Sequence, residues 1–332
     1  MNRRSFLAGL FGAGATAAVG GCRSVSCGCG VSAAAVRDPR QFAFDRDTAV
    51  IVHPAVRRTV RFSVITDSHF AFIDDRDDAY RANAKRTMQW PGKEKDLDAA
   101  LERARKWGAE IVVLTGDMFS FPSYANIEFI ERKMKGCGLR WAYVAGNHDW
   151  HFEGVPGTDN DQRAEWLKRL TPLYQGANPL MHSIELGGVR FVLIDDTTYQ
   201  LFPEQVEFLR KELATGDPTC LFMHIPLYLP TRPVLYTVGN PSWGEATDDI
   251  WMYEQRQKWA KGGQVPESFA LRELAFGAPN MVGIFTGHDH ALQVGAENGV
   301  PQFVIPMNFE HGTSLNVELR GTNSKDRKGI RQ

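Results

Sequence analysis

Residues 60–69 read VRFSVITDSH, a β-branched run that stops abruptly on an acid, a hydroxyl and an imidazole. Such a run reads as a buried strand, and its polar end as a loop leaving the sheet. Four more apolar runs end in the same way: IVVLTGD at 111–117, LRWAYVAGNHD at 139–149, TCLFMHIP at 219–226 and MVGIFTGHDH at 281–290. Ligands of open α/β sheets bind outside the carboxyl ends of the strands, so these five ends are expected on one edge, although they span more than 220 positions. The side chains gathered there are Asp67, His69, Asp117, Asn147, His148, Asp149, His224, His288 and His290. Carboxylate, amide and imidazole without a thiolate suit zinc, manganese or iron and disfavour a structural cysteine site. Glycines stand before Asp117, Asn147 and His288, where a missing side chain lets backbone and ion approach closely. The spacings Asp67 to His69 and His288 to His290 fit extended backbone, on which positions i and i+2 point the same way.

Working outward, helical patterns separate the strands. DLDAALERARKWGAE (96–110) sets Leu97, Ala100, Leu101 and Ala104 on one face and ends near Gly108; NIEFIERKMKGCG (126–138) closes at Gly136; DQRAEWLKRL (161–170) has acids early and bases late. HSIELGGVRFVLIDD (182–196) reads as a hairpin turning at Gly187 and Gly188, followed by a helix opened by Pro203. LQVGAENGVPQFVIP and SLNVELR supply the last strands. Alternation of strand and helix predicts a single layered α/β domain. The organisation expected is an export signal at 1–21, a linker or tether at 22–57 (with a peripheral first strand as the other reading of 32–54), a catalytic domain at 58–320 and a solvated tail at 321–332.

The 332 residues carry 38 Lys plus Arg against 39 Asp plus Glu. That balance leaves no broad basic surface to release counterions from nucleic acid, which excludes bulk nucleic acid as a partner. At the start, MNRRSFLAGLFGAGATAAVGG is too short and too weakly apolar for a membrane span. Arg3, Arg4, Ser5, Phe6 and Leu7 resemble the core of a bacterial twin-arginine export signal, and Val19-Gly20-Gly21-Cys22 resembles a lipobox, so the expected location is the periplasm or cell envelope, with Cys22 a possible lipid tether. Cys27 and Cys29 lack a second ligand pair for zinc, and Cys137 and Cys220 read as small core residues rather than as a disulfide.

The ordered set DSH, GD, GNHD, H and GHDH, over roughly 58–320, is similar to the calcineurin-like dinuclear metallophosphoesterases. That resemblance implies an α/β/β/α sandwich and two metal ions, of iron, manganese or zinc. It implies that Asp67, His69 and His290 hold the first metal, that Asn147, His224 and His288 hold the second, and that Asp117 bridges them. His148 then sits over the phosphate as general acid, with Asp149 orienting it, and a metal-bridging hydroxide attacks the phosphate monoester or diester. Ser120 stands three residues after Asp117, where the purple acid phosphatase branch has a metal-binding tyrosine. No GxSxG elbow points to a covalent nucleophile.

Blander readings compete at several positions. A lone strand histidine such as His224 is more often a satisfied core residue, and its place as the fourth block sets it apart. His53, His182 and His311 read as ordinary, with His311 in FEHGTS set apart from the other two; His151, just beyond GNHD, reads as a surface-loop residue, with lining of the phosphate site as the other reading; and Asp195 and Asp196 read as turn formers. The segment 70–95, with Arg76, Arg81 and Arg86, and the aromatic-rich 226–266, with Tyr228, Tyr236, Trp243, Trp251, Tyr253 and Trp259, read either as self-packed loops or as a surface for a small phosphate-ester substrate. The competing function is a non-catalytic phosphate-binding or interaction protein that keeps the fold.

Overall fold

Hydrophobic alternation decides the layering. In the computed structural model, which describes residues 40–88, 91–155, 159–231, 237–241, 264–309 and 311–322, twelve strands form two six-stranded sheets. The first sheet is ordered β1 (Gln41–Asp45), β2 (Thr48–Val52), β12 (Leu315–Arg320), β3 (Val60–Ile65), β4 (Ile111–Thr115), β5 (Arg140–Val144). The second is ordered β10 (Gln293–Glu297), β11 (Val300–Val304), β9 (Met281–Thr286), β8 (Thr219–Phe222), β7 (Val189–Ile194), β6 (Met181–Leu186). Strands β3, β4 and β5 run parallel to one another, as do β7, β8 and β9.

Period-two alternation sends Phe62, Val64, Ile111, Val113, Ala142 and Val144 to one face of the first sheet, where they meet Phe191, Leu193, Cys220, Phe222 and Phe285 of the second. Phe191, Phe222, Phe285 and Phe303 stack across four strands, and Phe62 sets its edge on the first three, at centroid distances of 5.0, 5.7 and 5.2 Å. Edge-to-face packing of this kind adds to the area term because ring edges and faces carry opposite partial charge.

The outer faces are covered by helices. Those against the first sheet are α2 (Glu94–Trp107), α3 (Tyr124–Gly136) and α4 (Asp159–Tyr174); those against the second are α5 (Pro203–Ala214) and α6 (Pro266–Gly277). A short α1 (Arg81–Thr87) follows a 3-10 turn at Asp75–Tyr80. Helix α2 buries Leu97, Ala100, Leu101 and Ala104 as the sequence predicts, and Gly108 closes it at φ +76°, a conformation that a Cβ would strain. Ser123 caps α3 by accepting the Asn126 N–H, so that helix starts two residues earlier than expected and Cys137 caps its end.

The layered α/β/β/α sandwich is therefore as expected, and Asp38–Gln332 forms one compact unit. The expected linker is corrected in its last part. Residues 41–52 fold into a hairpin whose second strand pairs parallel to β12, because Ala49 and Ile51 bury against the inter-sheet core, so the ordered domain begins well before residue 58. Residues 1–39, which include the stretch expected as an export signal and Cys22, lie outside the described residues, as do 323–332 of the expected tail. Cys137 and Cys220 are free and buried, and burial pushes the Cys220 thiol far up. Among the described residues no helix is long and apolar enough to cross a membrane.

Phe62→Ala removes the ring that meets three others across the inter-sheet core, and a cost of about 3–5 kcal/mol is expected. A denaturant midpoint within error of the parent would contradict the central place given to this ring.

Candidate metal centre

Strands β3 and β4 do not stop pairing where their regular structure ends. Asp67 N–H donates to Gly116 O at 3.0 Å, His69 N–H to Asp117 O at 2.9 Å and Phe70 N–H to Met118 O at 3.0 Å, so the two loops leave the sheet zipped together. On the other sheet Gly287 N–H donates to His224 O at 2.9 Å. Two bonds then tie one sheet edge to the other: His288 N–H to Asp67 Oδ2 at 3.0 Å, and the His224 Nδ1 to Thr115 O at 2.7 Å.

All nine expected side chains meet at this edge, and their geometry corrects one expectation. Asp67 (φ +52°), His69 (+50°), Asp117 (+49°), His288 (+76°) and His290 (+59°) are left-handed, not extended. Alternating left-handed residues wrap the loops around a point, which an extended segment cannot do. The glycine reading is also sharpened: a Cβ on Gly287 would overlap Thr66 Oγ1 and Asp67 Oδ2, and one on Gly146 would overlap Asp117. These glycines make room for a carboxylate.

The two acids divide their oxygens in the same manner. Asp67 Oδ2 accepts from Thr66 Oγ1 at 2.7 Å and from His288 N–H, while buried Oδ1 has no hydrogen-bond partner and faces His290 Nε2 at 3.3 Å and His69 Nε2 at 3.6 Å. Asp117 Oδ1 accepts the His148 N–H at 2.7 Å, while Oδ2 faces His224 Nε2 at 3.2 Å, His69 Nε2 at 3.8 Å and His148 Nε2 at 4.0 Å. Asn147 Oδ1 lies 2.9 Å from His224 Nε2 and 3.0 Å from His288 Nδ1, and the Nε2 atoms of His69 and His290 are 3.1 Å apart.

These spacings test the fit to a cation. Nitrogen ligands about 2.0–2.1 Å from a tetrahedral zinc lie about 3.3 Å from each other, close to what the lone-pair atoms here show. Three groups have ligand atoms mutually within 4.8 Å: Asp67, His69 and His290; His69, Asp117 and His148; Asp67, Asp117 and His224. Asp67, His69 and Asp117 each belong to two of the three groups, so the groups join into one continuous cluster.

Electrostatics point the same way. Burial opposes ionisation of Asp67 and Asp117, yet the surrounding imidazoles hold both well below the usual carboxylate range. Burial likewise opposes charge on His224, but Asp117 pushes it up to about 10. A proton on His224 thus does between two acids what a cation would do. Burial, then the charge of His224, drives His288 down to about 3, a neutral ring with a lone pair to offer.

Supporting residues were partly missed. Asp149 does not act on the His148 imidazole through any bond of its own carboxylate seen here; it accepts from Phe119 N–H at 3.1 Å, Tyr143 Oη at 2.8 Å and Gly146 N–H at 2.9 Å, bracing the loop that carries Asn147 and His148. Asp195 is a turn former as expected, accepting from Thr197, but Asp196 accepts the backbone N–H groups of His224 and Ile225. Asn308 donates its N–H to Thr66 O and accepts from Ser68 Oγ at 3.0 Å, pinning the first loop. Ser68, ahead of His69, was the only sequence hint of that clamp. His151 is buried, its ring stacked on that of Trp150 at 4.1 Å, rather than lying on a surface loop. Arg76 and Arg81 are committed to local acids, Arg76 to Asp74 and Glu128, Arg81 to Asp78. Tyr236, Trp243, Trp251, Tyr253 and Trp259 lie outside the described residues.

The calcineurin-like phosphoesterase family matches residues 60–292, more than half of the chain. No curated protein matches it. Among solved structures it is similar to a dimetal phosphatase from Danio rerio (14% identity, TM-score 0.47, covering 76% of this chain and 88% of that one). It is similar also to a purple acid phosphatase from yellow lupin (Lupinus luteus) seeds (14%, TM-score 0.47, 80% and 46%). A third is the phosphopantetheinyl hydrolase of Mycobacterium tuberculosis (13%, TM-score 0.38, 73% and 87%).

Asp117→Asn keeps the oxygen that accepts the His148 N–H but loses the charge shared between the groups. Metal content measured on the purified variant is expected to fall below two ions per chain; two fully retained ions would exclude the bridging position. The chain belongs to the calcineurin-like phosphoesterases, metal-dependent hydrolases of phosphate esters that use two metal ions.

Proposed function

We propose that this chain is an exported phosphohydrolase that cleaves a small phosphate monoester or diester, with Asp67, His69 and His290 holding one cation, Asn147, His224 and His288 the other, and Asp117 shared between them. The observation that carries this reading is the split use of two buried acids, each with one oxygen satisfied by the protein and the other aimed among imidazoles. When bound, two such cations supply Lewis-acid contact to phosphate oxygens and a nucleophile available at neutral pH.

The chain's own groups do the rest. Thr66 and Thr115 fix ligands through Asp67 Oδ2 and His224 Nδ1, so that the opposite atoms face inward. His148 stands at the rim with its side chain 24% exposed, while its backbone N–H is anchored on Asp117. Its imidazole can donate a hydrogen bond to a phosphate oxygen and give a proton to the departing alkoxide, a step worth about 10²–10⁴-fold. Phe309 packs its ring edge to face with His69 and His290 at 5.5 and 5.6 Å, an apolar neighbour of both imidazoles. Near-neutral overall charge with two metal cations concentrated at one spot favours a small anion as partner over a polyanion. The twin-arginine-like start supports a periplasmic or envelope location, and the lipobox-like Val19-Gly20-Gly21-Cys22 supports a lipid tether at Cys22.

Full-length protein should be assayed for bound metal and for turnover of an aryl phosphate monoester, an aryl diester, a nucleotide and a phospholipid. His148→Ala is expected to keep its metals and lose turnover by a factor on the order of 10² or more; an unchanged rate would remove the proton-donor role. Phosphate binding without turnover of any substrate would replace catalysis by the interaction reading.

A further inference from the structure

The loop between β7 and α5, residues 195–202, contributes none of the candidate ligands, yet both histidines of the second group lean on it, His224 through its backbone N–H and His288 through its ring. Asp196 accepts the His224 N–H at 3.2 Å and the Ile225 N–H at 3.0 Å. Tyr199 is fully buried and places its hydroxyl 2.9 Å from His288 Nε2, the two rings edge to face at 5.5 Å. It holds that place in a left-handed conformation, φ +59°, with its N–H on Asp196 O at 2.8 Å. The loop is locked in turn by Thr197 on Asp195 and by Gln205, whose amide donates to Asp195 O at 2.6 Å. Strained backbone of this kind, over-determined by its surroundings, is found where a side chain must be aimed.

The other nitrogen of the same ring, His288 Nδ1, lies 3.0 Å from Asn147 Oδ1, beside His224 Nε2. A neutral imidazole offers a lone pair at only one nitrogen, so Nδ1 can serve as a ligand only if the proton is on Nε2. We propose that Tyr199 is the positioning residue of the second cation: its hydroxyl oxygen accepts the Nε2–H of His288 and holds the ring in the tautomer whose Nδ1 lone pair faces Asn147 and His224. This rests on the dinuclear reading of the site and adds to it a residue that belongs to none of the five motifs. The two histidines differ in one respect that makes the idea testable. His224 is fixed by the carbonyl of Thr115, a backbone group no substitution removes, whereas His288 depends on a side chain. Outer partners of ligating histidines contribute about 10–100-fold in metal affinity.

The test uses the full chain loaded with two equivalents of Zn2+, parent and Tyr199→Phe, challenged with graded chelator while retained zinc per chain is measured. Phenylalanine keeps the ring and removes only the hydroxyl. The parent is expected to lose zinc in two steps; in the variant one step moves to about 10–100-fold lower chelator activity, while the other step and the melting midpoint stay in place. Superimposable curves overturn the proposal, and so does a common shift of both steps with a lowered midpoint, which marks structural damage. A parent that retains fewer than two ions overturns the dinuclear reading itself, a separate failure. Independently of any variant, imidazole 15N shifts of the zinc-loaded parent should show His288 protonated at Nε2; protonation at Nδ1 overturns the assignment.

Discussion

Two ionised carboxylates buried side by side set the terms for everything around them. Asp67 and Asp117 are essentially without solvent contact and, with His224, present ligand atoms within 4.8 Å of one another. At an effective dielectric constant near 20 that separation costs the pair about 3 kcal/mol of repulsion, on top of the loss of hydration. Nothing apolar can compensate it. Positive charge must be brought to the same spot, and five of the nine histidines of the chain are brought there. Residues from both sheets supply them, so neutralising the acids also welds the carboxyl ends of the sheets together: His288 N–H reaches Asp67, and His224 Nδ1 reaches the end of β4.

The inter-sheet core makes this weld possible at a defined height. Direct pairing of Phe222 with Phe285 and of Phe285 with Phe303 fixes the relative register of β8, β9 and β11, and Phe62 carries that register across to the first sheet. Five strand ends consequently finish level with one another. A one-residue slip in β9 would turn Phe285 outward and carry His288 away from Asp67, so core packing and ligand geometry specify the same register.

Much of this was legible in the sequence because the signals are local. Each ligand-bearing strand announced itself by an apolar run, and each ligand by its place just beyond that run. What sequence could not show are contacts made by the backbone or by residues of ordinary type. Asp196 looks like any acid in a turn until its carboxylate is seen on the N–H groups of His224 and Ile225. Tyr199 looks like one of many aromatics, and Asn308 lies 240 positions from the Ser68 it holds. The hairpin at 41–52 was obscured for a related reason: all five residues of β1 are exposed, so the strand lacks the buried face that periodicity detects. Spacing misled where geometry was inferred from it. Asp67 and His69 point together because both are left-handed, and extended backbone would have been an equally good account of the same two letters.

That left-handed geometry has an energetic meaning. Five candidate ligands with positive φ represent strain of about 1–3 kcal/mol each, which a handful of metal-ligand contacts is not needed to offset. The backbone already does so. Asp67 and His69 hold bonds to Gly116 and Asp117, the Asn308 N–H lies on Thr66 O and Asp67 O, and Gly287 donates to His224 O. Each strained residue is therefore fixed by neighbours that are themselves part of the sheet edges. A loop constrained in this way loses little entropy when an ion arrives, and the affinity it develops reflects the donor atoms rather than the cost of arranging them. The stability of the sandwich is thus converted into pre-organisation of the site: the sheets store strain at their carboxyl ends, and the acids and imidazoles placed by that strain are left aiming at one another.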